Sequence, residues 1–265
     1  MGRCITVSFL TIVTVCRNEQ ARIEKTLDSV VKQACRDFEW IVLDGASTDG
    51  TLAILEKYKE RMSILRSEPD RGIYDAMNKA IGLATGEYLL FLNGGDWLAD
   101  DRVVGDYLER NLQEDVVIGD ILVRYPGGRE QYRPSEKIGP MYDHLYWRSL
   151  PHQSTFIRRE LFLQHGLYNE QFKIIADWEF FLRAILRGGA TVARWARNVA
   201  VFTHDGISAS PAHRQLFCKE RIRMRRMYYP WVYRFRREAN EILGRTVNRM
   251  RQKLARKSDD STTNK

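Results

Sequence analysis

An acid-bearing turn, Asn93-Gly94-Gly95-Asp96, directly follows a nearly all-apolar run of the sequence. Its two glycines let the backbone approach a ligand closely, and its single carboxylate is placed to meet that ligand. A carboxylate at the end of a core strand is suited to hold a divalent metal ion or to face a charged phosphate group. The plainer interpretation, a tight turn with a solvated Asp, uses the same residue types.

Further polar segments follow two other predicted strands. Arg17-Asn18-Glu19 comes after the first strand, and Asp44–Thr51 comes after the second. Ligands of open parallel sheets gather at the carboxyl ends of the strands, so we expect these segments and the Asp96 turn at one sheet edge. Three polar segments at one edge favour a binding site over unrelated loops. Another acid, Asp177, falls at a predicted helix start, where it could cap the helix or face a cleft.

The elements that position these residues alternate between strand and helix up to about residue 118. Apolar runs predict strands over Ile5–Val15, Phe38–Leu43, Ser63–Arg66, Glu87–Leu92 and Val116–Ile118. Helical spacing predicts helices over Ala21–Gln33, Gly50–Lys59, Ile73–Ala84 (stopped by Gly86) and Arg102–Leu112. Their alternation predicts an α/β fold with a mostly parallel sheet flanked by helices.

The second half of the sequence is less regular. It predicts a hairpin over Ile121–Tyr132 around Pro126-Gly127-Gly128, a strand over His152–Ile157 and a short helix over Arg159–His165. Neither an internal repeat nor an interdomain linker interrupts it. We therefore expect one core domain running to about residue 210.

The composition describes a globular chain that can bury a substantial core, with 265 residues of which 44% are hydrophobic. The four cysteines show no C-x-x-C spacing and no clustering with histidine, so we expect neither a zinc site nor a disulfide framework, and a reducing cytoplasm. Cys4–Cys16 predicts a buried strand better than a signal peptide. No run approaches the roughly 18 apolar residues that span a bilayer, which excludes an integral membrane protein.

The formal charge of +8 is concentrated near the carboxyl terminus, where Lys219–Lys257 carries 14 Lys or Arg against three Glu. Aromatic residues and a helical apolar stripe lie within this segment, which predicts a basic amphipathic helical extension over residues 211–257 and a disordered tail over 258–265. Contact with an anionic membrane surface is the favoured interpretation. Docking of the stripe on the protein's own core comes next, and nucleic-acid binding comes last.

Six motifs occur in a fixed order: Thr14-Val15-Cys16-Arg17-Asn18, Val42–Thr51, Arg71–Lys79, Gly86-Glu87-Tyr88, Phe91–Asp96 and Ala176-Asp177-Trp178. With them the sequence resembles the inverting glycosyltransferases of family 2, which have the GT-A fold and use nucleotide-diphosphate sugars. The resemblance covers roughly residues 11–205. Within the family the chain is most similar to the enzymes that build colanic-acid-type exopolysaccharides and related cell-surface glycans.

The resemblance implies roles for individual residues. The nucleotide-sugar donor would be contacted by Val15, Asn18, Asp44 and Asp75, with Arg71 near the diphosphate. Asp177 would be the catalytic base, with Glu179 in reserve. Asp96 would hold Mg²⁺ or Mn²⁺, although Asn93 and Gly95 stand where other members have acids. His204 is a second candidate for metal or phosphate contact. His152 lies on the acceptor side or is a structural histidine.

The resemblance also implies an activity. A GT-A domain over residues 1–210, with a nucleotide-binding half (1–118) and an acceptor-side half (119–210), would move one sugar from a UDP- or GDP-sugar to a glycan on a polyprenyl diphosphate. No Q-x-x-R-W motif is present, so we expect no processive synthesis. The expected location is the cytoplasm, peripherally at the inner face of a bacterial plasma membrane. The alternative is a catalytically silent nucleotide-sugar-binding subunit, and a nucleic-acid partner is not expected.

Overall fold

The computed structural model describes residues 10–204, 211–237 and 239–240. Its strands are β1 (Leu10–Cys16), β2 (Phe38–Asp44), β3 (Ile64–Ser67), β4 (Tyr88–Phe91), β5 (Trp97–Leu98), β6 (Val116–Arg124), β7 (Glu130–Arg133), β8 (Thr155–Arg158) and β9 (Val192–Thr203). Its helices are α1 (Ile23–Val31), α2 (Thr51–Tyr58), α3 (Ile73–Leu83), α4 (Val103–Arg110), α5 (Met141–Trp147), α6 (Glu160–His165), α7 (Ala176–Phe181) and α8 (Arg214–Tyr228).

The nine strands of the described residues form one sheet in the order β3-β2-β1-β4-β8-β6-β9-β5, with β7 paired to β6. The first four strands pair in parallel, which brings their carboxyl ends to one edge. Strand β8 runs antiparallel between β4 and β6, and β9 pairs in parallel with β6. The sheet therefore combines a parallel half, made of β1–β4, with a mixed half, and the predicted α/β fold is confirmed.

The apolar patterns explain why these elements form. Strand β1 is buried along its whole length, as expected for a strand covered on both faces. Helix α1 buries Ile23, Leu27 and Val30, which recur at helical spacing and pack into the main core. The four predicted helices up to residue 118 all form, with ends within two residues of the prediction. The part of the first predicted strand before residue 10 lies outside the described residues.

Gly86 has a different role from the predicted helix stop. Helix α3 ends at Leu83, and Ala84 is already extended. A Cβ atom at Gly86 would lie 2.5 Å from Thr11 Oγ1 and 2.7 Å from the Thr11 nitrogen. The glycine is therefore required because the chain entering β4 passes against the backbone of β1.

The second half confirms the hairpin and corrects one strand. Strands β6 and β7 pair antiparallel from Ile121↔Arg133 to Arg124↔Glu130. The strand predicted to begin at His152 begins only at Thr155, because His152–Ser154 forms a 3₁₀ turn. The Ser154 and Thr155 hydroxyls both donate to the Pro151 carbonyl and hold that turn.

Helix α5, strand β9 and a π-helical segment of the second half were not predicted. Strand β9 has 12 residues of mixed burial, which hides the alternation expected of a strand. Helix α7 continues as a π-helical segment over Leu182–Arg187.

The chain divides into two compact units, the first ending at Glu220 and the second beginning at Arg221. In the second unit residues 231–237 are helical, and Trp231, Val232 and Phe235 are exposed. The rest of the predicted apolar stripe beyond residue 240 and the predicted tail over 258–265 lie outside the described residues. Within the described part of the chain, no helix has the length and apolar character needed to cross a membrane. The predicted boundaries at residues 118, 210 and 257 stay predictions.

Candidate active site

A pocket of about 340 Å³ lies at the carboxyl ends of β1 and β4, within the size range of small-molecule sites. Four of the residues proposed from the sequence line it, namely Val15, Asp96, His152 and Asp177. They come from the end of β1, the turn after β4, the 3₁₀ turn before β8 and the start of α7. The pocket therefore joins the parallel half of the sheet to the second half of the chain.

The turn after β4 carries Asp96 into the pocket floor. Gly95 has φ +94° and donates its N–H to Thr26 Oγ1 at 3.0 Å, so the turn is fixed against α1. Asp96 is 5% exposed, and its Oδ1 accepts the Thr203 N–H at 3.3 Å. Burial raises the pKa of Asp96 to about 7, although His152, the Thr203 N–H and Gln153 act in the opposite direction.

Gly94 allows two backbone segments to meet at this turn. A Cβ atom there would lie 2.9 Å from Cys16 Cβ and 3.1 Å from Glu19 Cγ. The Gly94 N–H also donates to the Val15 carbonyl at 3.0 Å. The close approach predicted for these glycines thus includes the segment after β1.

Asp96 at the pocket floor is suited to bind a divalent metal ion. The carboxylate is buried with too little positive charge around it to hold its pKa at the ordinary value, and its oxygens are the ligand type that Mg²⁺ and Mn²⁺ prefer. Among the described residues no group of three or more His, Cys, Asp or Glu could hold a metal. Further ligands would then come from outside such a cluster, such as oxygens of water or of a bound phosphate group.

His204 directly follows β9 and does not line the pocket. Its backbone N–H donates to the Arg124 carbonyl at 2.7 Å, and its ring centroid lies 5.0 Å from that of Tyr125. The described structure thus holds the His204 ring against an aromatic neighbour on the β6–β7 hairpin.

Asp177 lies in the first turn of α7, as predicted, and is 8% exposed. The Tyr74 hydroxyl lies 2.8 Å from Asp177 Oδ1, and the Ser149 hydroxyl lies 3.3 Å from Oδ2. Burial alone would raise the pKa of Asp177, but the interactions with His152, Tyr74 and the Trp178 N–H lower it below the ordinary value. Asp177 is therefore ionised at neutral pH.

Tyr74 is a site residue that the sequence motif contained without a role. It lies in the first turn of α3, and its hydroxyl is also 2.8 Å from the Ile174 carbonyl. Burial, followed by the charge of Asp177, raises the pKa of Tyr74 well above its ordinary value. Tyr74 is thus a protonated donor that links α3 to α7.

His152 connects the two acidic parts of the pocket. Its Nδ1 lies 3.3 Å from Asp177 Oδ2, and its Nε2 lies 3.1 Å from the Asn93 amide nitrogen. The ring therefore spans the distance between the base candidate on α7 and the turn after β4.

A family model described as Glycosyl transferase family 2 matches residues 11–171. The chain belongs to glycosyltransferase family 2. It is 36% identical over 182 residues to a PGL/p-HBAD biosynthesis glycosyltransferase of Mycobacterium tuberculosis, covering 65% of this chain and 68% of that protein.

Two solved structures show the same GT-A fold. Staphylococcus aureus TarS 1–349 in complex with UDP-GlcNAc matches with a TM-score of 0.64 and 22% identity over 76% of this chain. The chain spans 60% of that TarS structure. The mannosyltransferase PcManGT of Pyrobaculum calidifontis, in complex with GDP-Man and Mn²⁺, matches with a TM-score of 0.56 and 20% identity over 73% of this chain and 56% of that chain.

Asn18 and Asp44, two of the residues expected to contact the nucleotide-sugar donor, hold the loops around the pocket in place and do not line it. Both oxygens of Asp44 accept hydrogen bonds, from the Ser47 N–H at 3.0 Å and the Ser47 hydroxyl in the following loop and from the hydroxyl of Ser67, the last residue of β3, at 2.6 Å. Asn18 ties the loop after β1 to the loop after β2 by accepting the Thr48 N–H at 2.8 Å.

The other two donor candidates lie at the start of α3 and likewise do not line the pocket. Asp75 is 4% exposed and pairs with Arg71 at 2.6 Å and Lys79 at 3.3 Å. Arg71 is exposed and also pairs with Glu170 at 3.0 Å. The reserve base Glu179 is paired with Arg183 at 3.1 Å.

Three cationic side chains line the pocket: Arg17, which belongs to a polar segment expected at this edge, and Arg22 and Lys173, which were missed from the sequence. Arg22 is held by two hydrogen bonds to Glu19 at 2.8 and 2.9 Å. Single basic residues on loops carry no periodic signal, so only the fold shows that they converge. Their N–H groups are donors of the kind that binds phosphate oxygens, and in this structure Arg22 is paired with Glu19 and Arg17 lies 3.9 Å from Asp70.

Proposed function

We propose that this family 2 chain transfers a single sugar from a UDP- or GDP-sugar to a lipid-linked cell-surface glycan intermediate, with inversion at the anomeric carbon. The observation that carries the proposal is the ionised Asp177 carboxylate, which faces the same pocket as the acid-bearing turn of Asp96. A base and a diphosphate-binding turn in one pocket are what a single displacement at a sugar requires.

The donor would bind along the carboxyl edge of the parallel strands. Complexes of the fold neighbours with UDP-GlcNAc and with GDP-Man support a nucleotide-sugar ligand. The loops braced by Asn18, Asp44, Asp75 and Arg71 would shape the nucleoside end next to Val15. The cationic side chains of the pocket would bind the diphosphate.

Asp177 would act as the general base of the reaction. Its carboxylate would accept the proton of the acceptor hydroxyl while that oxygen attacks the anomeric carbon from the face opposite the departing nucleoside diphosphate. Backside attack of this kind inverts the anomeric configuration. His152 would lie on the acceptor side of the base, and Glu179 is less suited because Arg183 already neutralises it.

A divalent metal ion would be held by Asp96 together with the donor phosphates, with His204 as a second candidate. Bound there, Mg²⁺ or Mn²⁺ would neutralise charge on the diphosphate leaving group. The Mn²⁺ complex of PcManGT supports the use of a metal in this fold.

The acceptor would be a glycan on polyprenyl diphosphate, as in colanic-acid-type exopolysaccharide assembly, extended by one sugar per encounter. We place the enzyme in the cytoplasm at the inner face of the plasma membrane, held by the basic segment 219–257. Exposed Trp231 and Phe235 beside Arg234 and Arg236 support contact with an anionic membrane surface.

The decisive experiment compares Asp177→Asn with the wild-type chain. A panel of UDP- and GDP-sugars with Mn²⁺ first identifies the donor by thermal stabilisation. Release of nucleoside diphosphate in the presence of a polyprenyl-diphosphate-linked acceptor is then measured. We expect Asp177→Asn to lower turnover about 10²- to 10⁴-fold while the donor still stabilises the protein.

The matched control is Asp37→Asn, which removes an exposed carboxylate before β2, at the opposite end of the sheet. Asp37→Asn should turn over like wild type. Proton NMR of the product made by the wild-type enzyme should show the inverted anomer. Full activity of Asp177→Asn would contradict the role of the base.

A second candidate function is a catalytically silent nucleotide-sugar-binding subunit. The single carboxylate of the Asp96 turn favours it, since the described residues provide no cluster of metal ligands. It predicts that the nucleotide-sugar donor stabilises both wild type and Asp177→Asn against heat and that neither protein shows turnover.

A further inference from the structure

Antiparallel pairing of β4 and β8 brings Asn93 and His152 together. Leu90 pairs with Phe156, so the residues after β4 meet the residues before β8. The 3₁₀ turn over His152–Ser154 then directs the imidazole between the Asn93 amide and α7. The hydrogen-bond chain Asn93–His152–Asp177 thus links residues that are 84 positions apart in the sequence.

The chemistry of the amide decides where the imidazole carries its proton. Asn93 presents its nitrogen to His152 Nε2 at 3.1 Å, and an amide nitrogen can only donate. In this orientation of the amide, whose Oδ1 is buried without a hydrogen-bond partner in the described structure, Nε2 accepts with its lone pair. In a neutral imidazole the proton then lies on Nδ1, which faces Asp177 Oδ2 at 3.3 Å.

We infer that Asn93 fixes the tautomer of His152 so that the imidazole donates from Nδ1 to Asp177 and holds this carboxylate in position as the base. His152 is then a positioning residue, and the inference rests on the proposed function only in treating Asp177 as the base. An Asp at position 93 would accept a hydrogen bond from Nε2–H instead. The asparagine in the acidic turn thus has a function of its own.

The surroundings of Asp177 show what His152 contributes. Asp177 Oδ1 is within hydrogen-bond distance of the Tyr74 hydroxyl, and Oδ2 is within hydrogen-bond distance of His152 Nδ1 and the Ser149 hydroxyl. Both ends of the carboxylate are therefore held. The side chains of His152 and Asp177 are 17% and 12% exposed, so water competes little for this bond.

The first test reads the tautomer directly and needs no turnover. Long-range ¹⁵N–¹H spectra of the full chain at pH 7.5 report which imidazole nitrogen is protonated. The chain has five histidines, and the spectrum of His152→Asn assigns the resonances of His152 by their loss. We expect Nδ1 protonated and Nε2 bare in the wild type, and Nε2 protonated in Asn93→Asp.

Three results of that spectrum would overturn the inference. They are the opposite tautomer in the wild type, an imidazolium protonated on both nitrogens, and a His152 spectrum that Asn93→Asp leaves unchanged. An imidazolium would mean that the amide presents its oxygen to Nε2–H.

The second test compares two substitutions of His152, each of which keeps one of its two hydrogen bonds. His152→Asn places an amide nitrogen near the Nδ1 position, whereas His152→Gln places one near Nε2. With release of nucleoside diphosphate as the readout, we expect His152→Gln to lower kcat about 100-fold with little change in the donor KM. His152→Asn should keep about tenfold more activity than His152→Gln.

Equal losses in His152→Asn and His152→Gln would overturn the positioning role. A wild-type chain without turnover would count against the proposed function alone, and the nitrogen spectrum would then decide the inference.

Discussion

At the scale of single residues, two buried carboxylates of one pocket have pKa values shifted in opposite directions. Burial dominates at Asp96 and raises its pKa to about 7. At Asp177 the partners Tyr74 and His152 outweigh burial and lower the pKa. The difference assigns different chemistry to the two groups, because an ionised Asp177 can accept a proton whereas Asp96 gains most from a bound cation.

The raised pKa of Asp96 predicts how stability depends on pH. Between about pH 4 and 7 the folded state keeps a proton on Asp96 that the unfolded state releases, so the free energy of unfolding falls as pH rises. Relative to Asp96→Asn, wild type should lose up to about 1.4 kcal/mol per pH unit in this window and level off above it. Urea denaturation in EDTA measures the difference.

Asp37→Asn provides the control for the loss of one carboxylate, since Asp37 is exposed. If the free energies of unfolding of wild type and Asp96→Asn changed in parallel across this pH range, the raised pKa of Asp96 would be wrong.

At the scale of elements, two glycines near the end of α3 have opposite requirements. Gly82 lies inside α3, is exposed, and a Cβ atom there would meet nothing within 4 Å. Gly86 approaches the backbone of β1 at Thr11. Helix propensity therefore governs the first position, and steric fit governs the second.

We expect Gly82→Ala to raise the free energy of unfolding by about 0.5–1 kcal/mol, because alanine loses less backbone entropy in a helix. Gly86→Ala should lower it by about 1–3 kcal/mol, because the methyl group forces β1 and β4 apart. Chemical denaturation of both variants is the measurement. A stabilising Gly86→Ala would mean that the two strands separate freely.

At the scale of the whole molecule, the second compact unit concentrates positive charge and exposed aromatic side chains. Trp231 and Phe235 are each 70% exposed in a helical segment that also contains Arg234 and Arg236. An exposed apolar pair beside cations is suited to an anionic lipid surface.

We expect the double substitution Trp231→Ala/Phe235→Ala to weaken binding to phosphatidylserine-containing vesicles at least about tenfold, because each large side chain contributes about 2 kcal/mol when buried in lipid. Co-sedimentation with vesicles measures it. Leu163→Ala, which removes a 62% exposed leucine from the first unit, is the control and should bind like wild type. Vesicle binding that the double substitution leaves unchanged would refute membrane contact through these residues.

The sequence by itself determined the alternating strands and helices of the first 118 residues except the two-residue strand β5, the hairpin and the family of the chain. These depend on local periodicity and on short motifs, which are readable without knowing what packs against them. It also identified the acid-bearing turn and Asp177, because each falls at an element boundary where a polar residue stands out.

Only the tertiary structure decided which of these residues meet. Tyr74 and Asp177 are 103 positions apart, and α3 must pack beside α7 before the hydroxyl can reach the carboxylate. The antiparallel pairing of β8 with β4 places His152 next to Asn93. Asp44 accepts hydrogen bonds from Ser47 in its own loop and from Ser67 on the paired strand β3, and it does not line the pocket. Such contacts join distant parts of the chain, so no local pattern could predict them.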